Sequence, residues 1–288
     1  MCRILLLAAL IITCIASAST AEPEIIDDAA LLHRLEREGG ALVTQGKVPT
    51  FDQLVKGLTR IPAPISLPSE PASVASTEEL YRLRRAGVLI LARIYQCGKC
   101  NRQHVACATA LVLSPNGTCL TNYHVFGAYP DQVVEGMVVM TSKGEILPVV
   151  EVMGGNRSDD LAVFRVEPDG VALTALPLGP SPEPGARITV IGHPADHFYS
   201  LSTGQVARHA RSGQGADVVE RMFITADYAK GSSGSPVFDE AGRVVGIAAV
   251  TQPVYYDQVK HDNQQMVFKA CVPVHRIRRL LAGGVSAQ

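Results

Sequence analysis

Neither sign of charge is in surplus. Lysine plus arginine number 26 against 27 aspartate plus glutamate, a formal net charge of −1 over 288 residues. No basic surplus points to nucleic acid, and no basic amphipathic stretch reads as a membrane-surface element. Beyond the first 21 residues no apolar run is long enough to cross a bilayer. No internal repeat is visible. Cysteine is scarce: of 7 residues, Cys2 and Cys14 lie in the leader, leaving Cys97, Cys100, Cys107, Cys119 and Cys271. An odd set leaves at least one thiol without an intrachain partner if no metal is bound.

What is present describes a folded, strand-rich protein. Hydrophobic side chains make up 47% and charged ones 18%, enough to bury one or two cores. The 25 glycines and 18 prolines favour many turns and short strands. Arg3, the apolar run Ile4 to Ile15 and the small residues Ala16-Ser17-Ala18 or Ser19-Thr20-Ala21 read as an export signal over residues 1–21. A retained anchor is the alternative. The expected location is the periplasm or the medium, where disulfides are permitted but not required.

Residues 22–85 read as a partly helical extension. Asp27 to Gly39 and Phe51 to Leu58 are amphipathic, Pro62, Pro64, Pro68 and Pro71 suggest a linker, and Thr77 is the expected cap of a helix running to Arg85. From residue 86 to 284 short β-branched segments alternate with turns. Six of them (Val88–Tyr95, Val105–Leu113, Thr118–Asn122, Met137–Thr141, Ile146–Val152, Leu161–Val166) precede a proline-rich bridge at Pro177 to Pro184. Six more (Arg187–Ile191, Leu201–Arg208, Met222–Thr225, Pro236–Phe238, Val244–Val250, Met266–Val272) follow it, and an amphipathic helix spans 274–282. The fold class is all-β: two antiparallel six-stranded barrels, about 86–172 and 178–272, with the helical extension before and one helix after.

Three segments carry chemistry. Gly231-Ser232-Ser233-Gly234-Ser235-Pro236 is a tight turn between strands, able to expose the Ser233 hydroxyl beside free backbone N–H groups. Leu120-Thr121-Asn122-Tyr123-His124 ends a strand on a histidine, where a general base is held rigidly. Ser158-Asp159-Asp160-Leu161 sets Asp160 just before an apolar strand, suited to orienting an imidazole, with Asp159 left to turn chemistry. The order His, Asp, Ser, at separations of 36 and 73 positions, excludes the order found in α/β-hydrolases.

These segments together resemble the trypsin-like serine peptidases, most closely the bacterial HtrA/Deg branch, over roughly residues 86–284. Supporting segments are Asp160-Leu161-Ala162-Val163, Leu176-Pro177-Leu178-Gly179, Val190-Ile191-Gly192-His193-Pro194 and Cys271-Val272-Pro273-Val274. Ser232 and Ser235 depart from the usual Asn and Gly, the stretch before Ser233 is shorter than in HtrA proteins, and no PDZ domain is expected. The resemblance implies protein or peptide substrates, no required cofactor, and hydrolysis through an acyl-enzyme. Ser233 would be the nucleophile, His124 the base, Asp160 the orienting group, and the N–H groups of Gly231 and Ser233 the oxyanion hole. The specificity pocket would be walled by Asp227, Tyr228, Ala229 and Lys230 on one side and Ala249, Val250 and Thr251 on the other. Asp227, six residues before Ser233, either selects basic residues or is a surface aspartate. The sequence does not specify an oligomer.

A separate cluster, Cys97, Cys100, His104 and Cys107, precedes the histidine segment. It reads either as a Cys97–Cys100 disulfide or as a structural zinc site with three cysteines and His104. A non-catalytic binding or chaperone-like relative and a thiol oxidoreductase are the rival functions; the intact triad argues against the first, and the lack of a thioredoxin-like unit against the second.

Overall fold

The computed structural model describes residues 24–67, 73–100, 102–128, 132–213 and 218–283. The leader expected at 1–21 lies outside them. Strands β1 (Val88–Gln96), β2 (Gln103–Val112), β3 (Thr118–Thr121), β4 (Val133–Met140), β5 (Ile146–Asn156) and β6 (Leu161–Val166) pair antiparallel in the closed order β1-β2-β3-β6-β5-β4. Strands β7 (Arg187–Gly192), β8 (Ser200–Ser212), β9 (Val219–Ile224), β10 (Pro236–Phe238), β11 (Val244–Asp257) and β12 (Asp262–Pro273) close as β10-β11-β12-β9-β8-β7. Closure removes the exposed edges of a sheet.

The period-two alternation of strands decides which side chain meets which core. In β1, Leu89 and Leu91 join a cluster with Met137, Val139, Phe126 and Phe164. Ile90, Ala92 and Ile94, on the other face, join a cluster that also takes in Ile191, Phe238, Ile247 and Val272 from the second barrel. The two barrels therefore share one apolar contact, and the cleft lies where they meet.

The N-terminal extension is part of this packing. Helix α1 (Asp28–Arg34) continues through a π turn, Leu35–Gly39, into α2 (Gly40–Thr44), so the helical run extends beyond the Gly39 expected from the sequence. Leu35 is fully buried in the inter-barrel cluster, and Phe51 and Leu54 of α3 (Phe51–Val55) enter the first barrel's cluster. The cap of α4 (Thr77–Arg84) is Ser76, whose Oγ accepts from Glu79 N–H; Thr77, the expected cap, is already helical. Of the expected linker, Pro68 and Pro71 lie outside the described residues; next to Pro64, Ile65 N–H donates to Leu281 O at the end of α5 (Val274–Leu281).

Candidate active site

The serine turn is tied to both barrels. Thr109 N–H of β2 donates to Ser233 O at 2.8 Å, and Gly234 N–H donates to Ala248 O of β11 at 3.0 Å. Gly231 (φ 94°) and Gly234 (φ 88°) occupy the left-handed region, and a Cβ at either would run into the carbonyl of His193 or of Thr109. Only glycine fits both positions.

His124 sits in a 3-10 turn, Tyr123–Phe126, directly after β3. Its Nε2 lies 2.8 Å from Ser233 Oγ, and its Nδ1 lies 2.9 Å from Asp160 Oδ2. The His124 main-chain N–H also donates to Asp160 Oδ1, at 3.0 Å. An ionised carboxylate only accepts, so Nδ1 carries the hydrogen and Nε2 is left to take one from the serine. Asp160 itself has φ 62°, an uncommon conformation for a side chain larger than glycine. Two bonds hold it there: Asn122 Nδ2 donates to Asp160 O at 3.0 Å, and Asp160 N–H donates to Arg157 O at 3.2 Å. Asp159 is 1% exposed and is gripped by Arg276 of α5 through Nε at 2.7 Å and Nη2 at 2.6 Å. It is thus a buried ion-pair partner as well as a turn residue.

The backbone around Gly231 is oriented by the β7–β8 loop. Lys230 O accepts from Ala195 N–H at 2.6 Å. In a trans peptide the next N–H points the opposite way, so Gly231 N–H faces away from that loop. Among the described residues no carbonyl takes the N–H of Gly231 or of Ser233. The loop pays for this grip in conformation, with Ala195, Asp196 and Tyr199 all at positive φ. Within it His193 is fully buried, its Nδ1 accepting from Tyr199 N–H at 3.0 Å, and burial lowers its pKa to about 3.

A hydroxyl chain that the sequence does not announce lies behind the turn. Ser235 Oγ donates to Thr109 Oγ at 3.0 Å, Thr109 Oγ donates to Gly231 O at 3.0 Å, and Thr121 Oγ donates to Thr109 O at 2.7 Å. Thr109, Thr121 and Ser235 are all 0% exposed. Ser235 stands out in the sequence as a departure from the family pattern. Thr109, inside an apolar strand, carries no sequence signal.

The expected pocket walls meet unequally. Tyr228 reaches across with its hydroxyl donating to Val250 O at 2.9 Å and Ala270 O at 2.8 Å, and its ring is buried. Ala249 is buried, whereas Val250 and Thr251 are exposed; β10 reaches only as far as Ile247 along β11, which leaves that flank open. Of the two readings of Asp227, its surroundings favour the surface aspartate. The Asp227 side chain is 92% exposed and pairs with Lys269 Nζ at 3.4 Å, so its charge is neither enclosed nor free. Ala229 lies by this segment, while Lys230 lines a cavity of about 570 Å³ together with His124, Gly231, Ser233, Tyr95 and Cys107.

The five cysteines among the described residues are all free thiols, Cys97 and Cys100 included. Cys97 Sγ and Cys100 Sγ are 3.6 Å apart, and Cys100 Sγ is 3.1 Å from His104 Nε2. The N–H of Lys99 and the Cys100 thiol lower the Cys97 pKa to about 7. Cys107 does not belong to this group. It stands three residues after His104 on β2, an odd spacing that sends it to the other strand face, and its thiol meets Asp196. Burial there raises its pKa well above that of an ordinary thiol.

Residues 108–247 match the family model described as a trypsin-like peptidase domain. A probable periplasmic serine endoprotease DegP-like of Hahella chejuensis is 34% identical over 143 residues, 48% of this chain and 28% of that protein. The serine endoprotease DegS of Haemophilus influenzae is 26% identical over 145 residues, 50% of this chain and 41% of that protein. The chain thus spans less than half the length of these curated relatives. Among solved structures, an HtrA-type protease AlgW with decapeptide superimposes with TM-score 0.58 at 18% identity, covering 72% of this chain and 66% of that one. That likeness speaks for the fold.

Proposed function

We propose, from the premise that this chain carries a trypsin-like peptidase domain related to the HtrA endoproteases, that it is a serine endopeptidase. The reading rests on one observation above all: a serine hydroxyl 2.8 Å from an imidazole whose far nitrogen faces a carboxylate at 2.9 Å. Ser233 attacks the peptide carbonyl as His124 Nε2 takes its proton, and Asp160 steadies the imidazolium that forms. The N–H groups of Gly231 and Ser233 hold the oxyanion. His124 then hands its proton to the departing amine, and water opens the acyl-enzyme by the same route in reverse.

The substrates are proteins or peptides, and nucleic acid has no part in the reading. The chemistry draws on no cofactor, so a zinc ion on Cys97, Cys100 and His104 would be structural. Export by residues 1–21 belongs to the same proposal, supported by relatives named periplasmic; among the described residues no helix is long and apolar enough to cross a membrane.

Replacing Ser233 with alanine tests the assignment. The variant should keep its circular dichroism and thermal midpoint while turnover of casein falls by roughly 10³-fold or more. A serine-directed fluorophosphonate should label the wild type and not the variant. Undiminished cleavage by Ser233→Ala removes Ser233 as nucleophile.

A further inference from the structure

The β1–β2 hairpin carries a set of ligands that hydrolysis does not use. Strand register pairs Tyr95 with His104 and Gln96 with Gln103, and the turn between them holds Cys97 and Cys100. Those two sulfurs and one nitrogen of His104 lie within 4.8 Å of one another, and all three residues are half-buried. Zinc with sulfur at about 2.3 Å and nitrogen at about 2.0–2.1 Å in a tetrahedron spaces its ligands about 3.8 Å (S to S) and about 3.5 Å (S to N). The observed separations of 3.6 and 3.1 Å fall close to the edges of that tetrahedron. Two thiolates and an imidazole form a soft donor set that disfavours magnesium and calcium and suits zinc. The turn and the first residues of β2 supply all three donors, so an ion closes a short local loop without drawing on the rest of the fold.

Coordination by these three residues leaves a fourth position. Cys107, the fourth ligand suggested by the sequence, is on the opposite strand face and engaged with Asp196. With three protein ligands, the fourth position of a tetrahedral ion is left to water or another small ligand. The site also adjoins the cleft. The His104 ring lies 5.5 Å from that of Tyr95, and Tyr95 lines the same cavity as His124 and Ser233. That cavity is lined on one side by Tyr95 of β1 and Val105 and Cys107 of β2, and not by Val250 or Thr251 of the open β11 flank. A peptide whose acyl side extends along that flank would present its leaving-group half to the β1–β2 wall.

We propose that Cys97, Cys100 and His104 form a zinc site with one exchangeable coordination position, and that zinc there fixes the cleft wall met by residues beyond the scissile bond. The second half rests on the peptidase reading; the first does not.

The full chain carrying Ser233→Ala, reduced, stripped with chelator and desalted, is titrated with Zn²⁺ against a chromophoric chelator and, in parallel, with Co²⁺. One ion per chain should bind, and cobalt should show thiolate charge-transfer absorption with the intense visible bands of four-coordination. Cys100→Ser should abolish this, His104→Ala should weaken binding by about tenfold or more, and Cys107→Ser should leave it unchanged. Thermal midpoints taken without metal check that each variant folds. Absence of stoichiometric binding, equal binding by Cys100→Ser, loss in Cys107→Ser, or isolation of the protein with Cys97 and Cys100 disulfide-bonded overturns the site. For the cleft, wild type is assayed on a peptide that continues past the scissile bond and on one ending there in a chromogenic amide. Zinc should shift KM by roughly threefold for the first only, and the shift should vanish in Cys100→Ser. An equal effect on both substrates, or none, overturns the coupling. If neither substrate is cleaved, the peptidase reading fails and takes the coupling with it, while the metal titration still decides the site.

Discussion

Replacing Thr109 with valine removes one hydroxyl and little else, because the two side chains have nearly the same shape. Thr109 is 0% exposed, so no water replaces what is lost. Gly231 O then has no donor, and Ser235 Oγ loses the acceptor it reaches at 3.0 Å. Each buried polar group left unmatched costs about 1–3 kcal/mol, and the two together should lower stability by roughly 2–6 kcal/mol. The effect on turnover is separate. Gly231 O belongs to the residue whose N–H is assigned to the oxyanion, so freeing the carbonyl loosens the donor. Outright removal of one oxyanion donor costs about 10²–10³ in kcat, and a loosened one should cost about tenfold. KM should change less than about twofold, since the contact forms in the transition state. Thr109→Ser keeps the hydroxyl and should restore most of kcat despite its missing methyl. Steady-state kinetics on a peptide substrate, below the melting temperature of each variant, separate the two effects. An unchanged kcat in a destabilised Thr109→Val, or a Thr109→Ser as slow as the valine variant, refutes the positioning argument and leaves Thr109 as packing.

Two further outcomes follow from buried groups. Because the Tyr228 ring crosses between the expected pocket walls, a peptide library should be cut after small side chains rather than after Lys or Arg, and Asp227→Ala should leave that preference unchanged; dominant cleavage after basic residues refutes this. His193 bears on pH: unfolded, it takes up a proton as pH falls through about 6.5, whereas burial keeps it neutral in the fold down to about 3. Between those values the unfolded chain holds more protons, so stability falls as pH falls, by up to ~1.4 kcal/mol per pH unit from this one group. Urea midpoints from pH 7 to 4 should drop less steeply for His193→Asn, whose side-chain oxygen can accept from Tyr199; equal slopes refute the assignment.

Apolar alternation reports burial, and so it locates strands wherever a barrel wall is covered by another element. It falls short where strands leave the core. Strand β11 runs to Asp257 and β12 starts at Asp262, beyond the expected Val250 and Met266. Beyond Val250 that hairpin leaves the core: Gln252, Gln264 and Gln265 are exposed, and so are the apolar Tyr256, Val259 and Met266, so its pairing is carried by backbone hydrogen bonds and not by a buried face that alternation could report. The extension before residue 86 misleads for the opposite reason. Its prolines break regular structure, but Phe51, Leu54 and Leu58 are buried against barrel residues that no local pattern could pair with them.

The site divides along a similar line. His124, Asp160 and Ser233 are legible because each sits in a short segment whose neighbours help to present it, be it a strand end, a turn before a strand or a glycine-flanked loop. The groups that hold them in place are not, because each acts across the junction between distant elements. Thr109 belongs to the first barrel and braces a loop of the second; Arg276 leaves the last helix to neutralise Asp159, the residue beside Asp160. Such partners stand 122 and 117 positions apart in the chain, a separation at which spacing carries no information and only closure of both barrels creates the contact. A residue read as an ordinary strand former thus braces the turn that carries Ser233. Ser235 is the instructive case: its departure from glycine is visible in the sequence, but it gains meaning only as the donor to Thr109 that completes the hydroxyl chain.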